Sequence, residues 1–317
     1  MVQQILAIVL PVFALIGLGY LAARSRLLDP SIGDALGQFV FVIAIPVLIF
    51  RTLATSSLDG ASPWGLWISY FTGVAVIWTA GTLIVRLAFG RDARAGVIAG
   101  ISAGFANTVL VGIPLITAIH GEEGLVPLFL LISVHLPVMT IACAVLMERA
   151  AVLDGTQAPK PLGGMLREIG ASLATNPIVI GILAGGAWRI LGWPVEGILA
   201  DVLGRIAGAA VPVALFSLGM SMVAYGVRGN IGPAVLLSAL KLVAMPAVVY
   251  GMAAHVVGMS PLWVSVATLI AACPTGVNAF LFAARYGTGH AMSANSITFT
   301  TAAAVVVTGG WMAFLGL

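Results

Sequence analysis

With 317 residues, 61% of them hydrophobic and only 8% charged, the chain lacks the polar surface of a soluble domain, about 25% of whose residues are charged. Apolar runs of about 20 residues recur along its length, so the pattern describes a polytopic protein whose solvent is the lipid bilayer. The formal charge of +3 resides in arginines between those runs and gives no sign of a nucleic-acid partner. Cys143 and Cys273 both fall within apolar runs, which suits buried, inert thiols better than a disulfide framework or a cysteine metal site.

In chain order the hydropathy pattern predicts ten spans, at roughly 3–24, 33–54, 64–89, 95–119, 124–147, 168–190, 196–224, 230–257, 261–285 and 290–316. No lysine or arginine precedes the first run, and Arg24 and Arg26 follow it, so it reads as a retained span rather than a cleaved signal. The fourth span contains Ala106-Asn-Thr-Val-Leu-Val-Gly-Ile-Pro114. Gly112 and Pro114 are expected to break the helix there and leave carbonyls near Leu110 in need of another partner. The longest connection, 149–167, holds Asp154-Gly155-Thr156-Gln157 and Pro159-Lys160-Pro161, turn-forming residues suited to a linker. It separates a first unit, 1–148, from a second, 168–317. The ninth span repeats the interruption as Cys273-Pro-Thr-Gly-Val-Asn-Ala279.

Sliding the chain on itself by 166 residues lays Pro11 on Pro177, Gly19 on Gly185, Pro46 on Pro212, Phe50 on Phe216 and Gly121 on Gly287. The same offset superposes the two interrupted spans. Five spans per half is an odd number, so the second half inserts upside down relative to the first, an inverted repeat with its site near the midplane. Positive charge sets the orientation. Arg24, Arg26, Arg86, Arg91, Arg94, Arg149, Lys160, Arg167, Arg228 and Arg285 follow odd-numbered spans, against Arg51, Arg189 and Arg205 on the other side. Both termini are therefore expected outside the cytoplasmic membrane, with the central linker in the cytoplasm.

A helix broken inside the bilayer turns unpaired N–H groups and a partial positive charge toward the break, a setting for an anionic head group. Asn107, Thr108, Thr275 and Asn278 add donors and acceptors at that depth, with Gly112, Pro114, Pro274 and Gly276 shaping the backbone. The alternative is that these prolines and glycines only kink the helices, and that the asparagines bond across them. Lys241 lies ~15 Å into the eighth span at ~1.5 Å per residue. Without an evident acidic partner, it is expected to face a polar cavity as counter-charge to an anion, or else to snorkel or release its proton. His135 could relay a proton or make an interhelical hydrogen bond. Asp201 and Arg205, four apart, suggest an interfacial ion pair. All eleven acids lie in connections or near span ends, which disfavours cation antiport. No acid cluster, His-Glu-x-x-His or Gly-x-Ser-x-Gly suggests catalysis, and neither a cofactor nor a metal is expected.

Asn107-Thr-x-x-x-Gly-Ile-Pro114, Lys241-Leu-x-x-x-Pro246 and Pro274-x-Gly-x-Asn278-Ala resemble the corresponding motifs of the auxin efflux carrier family, in particular its bacterial malonate or malate transporters. The resemblance covers nearly the whole chain. It implies an all-α membrane fold similar to bile-acid sodium symporters, in which spans 4 and 9 cross. Spans 1, 2, 6 and 7 would form a scaffold, and spans 3–5 with 8–10 a transport domain. It further implies elevator-like transport of a small organic anion and a homodimer in the lipid bilayer, and the short linker makes auxin itself an unexpected substrate. A sodium-coupled symporter and a passive channel are the alternatives.

Overall fold

The computed structural model describes residues 2–55, 62–156, 173–225 and 231–317, with a few single positions between them. Lys160 and Arg228, used above to orient the chain, and the acids Asp59 and Glu168 lie outside the described residues, as does most of the linker. The described residues are helical: α1 Val2–Arg24, α2 Pro30–Thr55, α3 Pro63–Ala88, α4 Ala93–Gly104, α5 Thr108–His120, α6 Leu125–Leu153, α7 Pro177–Ile190, α8 Gly197–Tyr225, α9 Ile231–Val256, α10 Pro261–Ala272, α11 Asn278–Tyr286 and α12 His290–Phe314. Six of them, α2, α3, α6, α8, α9 and α12, are long and apolar enough to cross a membrane, and α5, α7, α10 and most of α1 are shorter apolar helices.

The helices sort into two packed groups. In one, α1 lies along α8, and α2 lies along α7 and α8; in the other, α3 packs on α4, α9 on α10 and α12, and α6 on α4 and α10. Two of the closest approaches are glycine contacts. A Cβ on Gly19 of α1 would fall 2.0 Å from the Phe216 carbonyl oxygen of α8, and one on Gly185 of α7 would fall 2.8 Å from the Phe50 carbonyl oxygen of α2. Only a residue without a side chain lets backbones meet this closely in a medium that provides no hydrophobic drive between helices.

Burial is deepest along the interrupted helices. Every residue from Ala95 to Thr108 and from Val264 to Gly276 is buried, whereas Leu18, Leu21, Leu183 and Ile198 of the first group are exposed, as lipid-facing side chains would be.

Proline acts differently from the expectation above. Helix α5 runs through Gly112 and Pro114, and the chain is unwound instead at 105–107. A turn one residue wider than an α-turn precedes Pro46, Pro114 and Pro246 alike. In each, the N–H of the preceding residue bonds the carbonyl five positions back: Ile45 to Val40, Ile113 to Thr108 and Met245 to Leu240. The wider turn makes room for the ring without ending the helix. The carbonyl freed in α9, that of Leu242, accepts the Trp311 indole N–H from α12 at 3.0 Å.

Candidate functional site

The two interruptions meet. Residues 105–107, between α4 and α5, run antiparallel to residues 274–276, between α10 and α11, and Ala106 pairs with Thr275. The Asn107 N–H donates to the Pro274 carbonyl at 2.8 Å, and the Gly276 N–H donates to the Phe105 carbonyl at 2.8 Å. Each unwound segment thus satisfies the other, which is what lets non-helical backbone exist within the bilayer. Pro274 serves only as an acceptor, so its missing N–H is not needed. Gly276 has to be small, because a Cβ there would lie 2.7 Å from the Phe105 ring and 3.1 Å from the Ala106 carbonyl oxygen. Thr275 fastens the crossing to its surroundings. Its N–H donates to Thr300 Oγ1 at 2.9 Å and its hydroxyl to the Ser102 carbonyl at 2.8 Å.

Beside the crossing lies a cavity of about 510 Å³. Asn107, Thr108, Gly276 and Asn278 contribute to its wall, as do Phe105 and His135. Helices α5 and α11 both start there, so the positive ends of two helices face it. Asn107 is held in one orientation: its Oδ1 accepts the Leu110 N–H at 3.1 Å. Its Nδ2 is buried without a hydrogen-bond partner. A buried amide donor in the wall of a cavity is the arrangement expected where a ligand completes the bonding.

A family model described as "Membrane transport protein" matches residues 4–312, almost the entire chain. The chain belongs to the auxin efflux carrier family. It is 28% identical over 326 residues to the "Putative malonate transporter" of Rhizobium meliloti, covering 97% of this chain and 94% of that protein. It is also 28% identical to an "Uncharacterized transporter" of Methanothermobacter thermautotrophicus, over 87% of this chain and 86% of the other. Against "Auxin efflux carrier component 8" of Arabidopsis thaliana it is 25% identical over 90% of each.

In this carrier the remaining residues singled out above stand back from the cavity. Pro274 and Thr275 form the crossing behind it, and Gly112 and Pro114 lie further along α5, where a Cβ on Gly112 would come 3.3 Å from Ile270 of α10. Lys241 is fully buried in the wide turn of α9 and does not line the cavity. Its ammonium donates to the Ala271 carbonyl, in the last turn of α10, and meets Met245 Sδ at 3.4 Å. The Lys241 amino group therefore sits at the negative end of a helix that stops in the middle of the molecule. His135, which does line the cavity, also makes an interhelical contact, its Nε2 lying 3.4 Å from the Tyr70 hydroxyl. Cys143 and Cys273 are both free and buried.

The carrier's first helix group completes the cavity with residues not anticipated from the sequence: Asp34 and Gly37 of α2, and Ser217 and Ser221 of α8. The Ser217 hydroxyl donates to the Gly33 carbonyl at 2.9 Å, tying α8 to α2. At the other end of α2 a second, polar cavity of about 680 Å³ contains Asp201 and Arg205, but the ion pair there joins Arg51 to Glu122 at 3.9 Å.

Proposed function

We propose that this carrier is a secondary transporter that moves a small organic anion, a carboxylate, across the cytoplasmic membrane by alternating access. The observation that carries the reading is the Asn107 amide, its oxygen occupied and its buried NH₂ unpartnered in the cavity wall where α5 and α11 begin. Neutral donors and helix dipoles can hold a carboxylate without a fixed positive charge. Asn278, opening α11, offers a second amide. Malonate and auxins, the compounds in the relatives' names, both carry carboxylates.

In this reading α4 with α5, and α10 with α11, are each one broken span, giving ten spans in two inverted halves, 1–148 and 168–317, joined by the cytoplasmic linker 149–167. The glycine contacts support it: the offset that pairs Gly19 with Gly185 also pairs Phe216 with Phe50, and the contacts are Gly19 on Phe216 and Gly185 on Phe50. Helices α1, α2, α7 and α8 form the scaffold of a homodimer, and the others move against it as an elevator. With the termini outside, the cavity's rim at Asp34 faces the cytoplasm.

A thermal-shift screen of the purified protein against mono- and dicarboxylates tests the assignment. At least one should stabilise the wild type and lose its effect in Asn107→Ala. No stabilisation by any carboxylate, or equal stabilisation of both proteins, would contradict it. Repeating uptake with and without a sodium gradient separates this transporter from a sodium-coupled symporter.

A further inference from the structure

The cavity is lopsided in charge. Among the described residues that line it there is no lysine or arginine, and its one acidic side chain is Asp34. Asn107 and Thr108 are buried at the crossing and Asn278 is half-buried, whereas Asp34 is exposed, so the carboxylate stands nearer the rim than either amide. Two candidates for a compensating cation are engaged with other groups. Lys241 is fully buried outside the lining and bonds the Ala271 carbonyl. The His135 ring packs against Tyr70, Phe71 and Phe105. Ser217 and Ser221 of α8 are neutral, and their hydroxyls are engaged with backbone carbonyls at 2.9 and 3.0 Å. Most of the remaining wall is aliphatic or aromatic.

We propose that Asp34 is a charge filter, and that the substrate of this site is a carboxylate carrying a single negative charge on a largely apolar body, not a dianion. The inference rests on the assignment of the cavity to a carboxylate. One ionised carboxyl is accommodated by the amides and the two helix N-termini. A second would be desolvated with no lysine or arginine among the described lining residues to offset it and would repel Asp34, and that repulsion doubles with the ligand's charge. The compound in the Rhizobium relative's name, malonate, is a dianion at neutral pH, so the filter distinguishes this chain from such a substrate.

The test compares adipate with its monomethyl ester, ligands of nearly the same length that differ by one charge near neutral pH, by calorimetric titration of the purified protein in nanodiscs. Wild type should favour the monoester by about tenfold, and Asp34→Asn should narrow the ratio by about fivefold, chiefly through tighter adipate binding. Asp34→Glu, which keeps the charge, should preserve the ratio, and raised salt should narrow it in the wild type. A ratio unchanged in Asp34→Asn overturns the filter and leaves the carboxylate assignment standing. Binding of neither ligand to either protein overturns that assignment, and the filter with it.

Discussion

An amide with its oxygen anchored and its nitrogen buried without a partner is a more demanding object than a polar residue in an apolar helix. Asn107 was legible in the sequence as an unusual side chain, but the division of labour between its Oδ1 and Nδ2 depends on where the helix restarts. If Asn107 and Asn278 share one ligand, Asn107→Ala and Asn278→Ala should each weaken carboxylate binding about tenfold, within the ~1–3 kcal/mol of a buried hydrogen bond left unmade. The double variant should lose less than the sum of the two. Full additivity in titrations of all four proteins would indicate separate sites. Lys241 was legible as a deep cation, but its partner was not, because a backbone carbonyl at a helix end leaves no mark in the sequence. If the ammonium serves chiefly to cap α10, Lys241→Met, which keeps the packing and loses only the charge, should lower the melting temperature of the purified protein nearly as much as Lys241→Ala. Affinity should fall less than in Asn107→Ala. A large loss of affinity at wild-type stability would instead make Lys241 the counter-charge. Asp34, Ser217 and Ser221 could not be read as site residues, since an acid near a span end and serines in an apolar run are commonplace until tertiary packing brings α2 and α8 to the crossing.

At the scale of the element, the expectation of two interrupted helices matches the structure, but the position of the first interruption does not. Gly112 and Pro114 looked like the breakers, yet the helix restarts at Thr108 and absorbs Pro114 with a wider turn. Hydropathy and proline position cannot reveal that residues 105–107 find backbone partners 168 or so positions away. The crossing predicts its own sensitivity. Thr275→Val removes a hydroxyl that donates to the Ser102 carbonyl and should destabilise the protein by about 1–3 kcal/mol, read as a lower melting temperature in detergent. Wild-type melting would show that the crossing does not depend on that bond. The helix pairs make a sharper forecast. Gly185→Ala forces a Cβ to within 2.8 Å of the Phe50 carbonyl oxygen and should reduce folded yield, whereas Gly186→Ala, with nothing within 4 Å, should not. Equal yields from fluorescence-detected size-exclusion runs would contradict the packing of α2 on α7.

For the whole molecule, composition alone was enough to indicate a helical membrane protein, because 8% charged residues cannot clothe a soluble fold of this size. The proposed internal repeat was fainter, resting on a few residues matched at one offset, and the reciprocal glycine contacts of α1 with α8 and α7 with α2 are in keeping with it. We propose the orientation that the arginine bias implies: single cysteines at Gly155 and Gly121, in a background without Cys143 and Cys273, should be labelled by an impermeant reagent from the cytoplasm and from outside respectively. Labelling of both from one side would break the ten-span topology. The central claim is that the crossing of two broken helices forms the binding site of a secondary transporter. Counterflow in proteoliposomes tests it most directly, with vesicles preloaded with one unlabelled carboxylate and the same radiolabelled compound supplied outside. For a carboxylate that stabilises the purified protein, the wild type should show saturable, transient accumulation that is lost in Asn107→Ala. Flux that never saturates and shows no accumulation, or accumulation undiminished in Asn107→Ala, would contradict it.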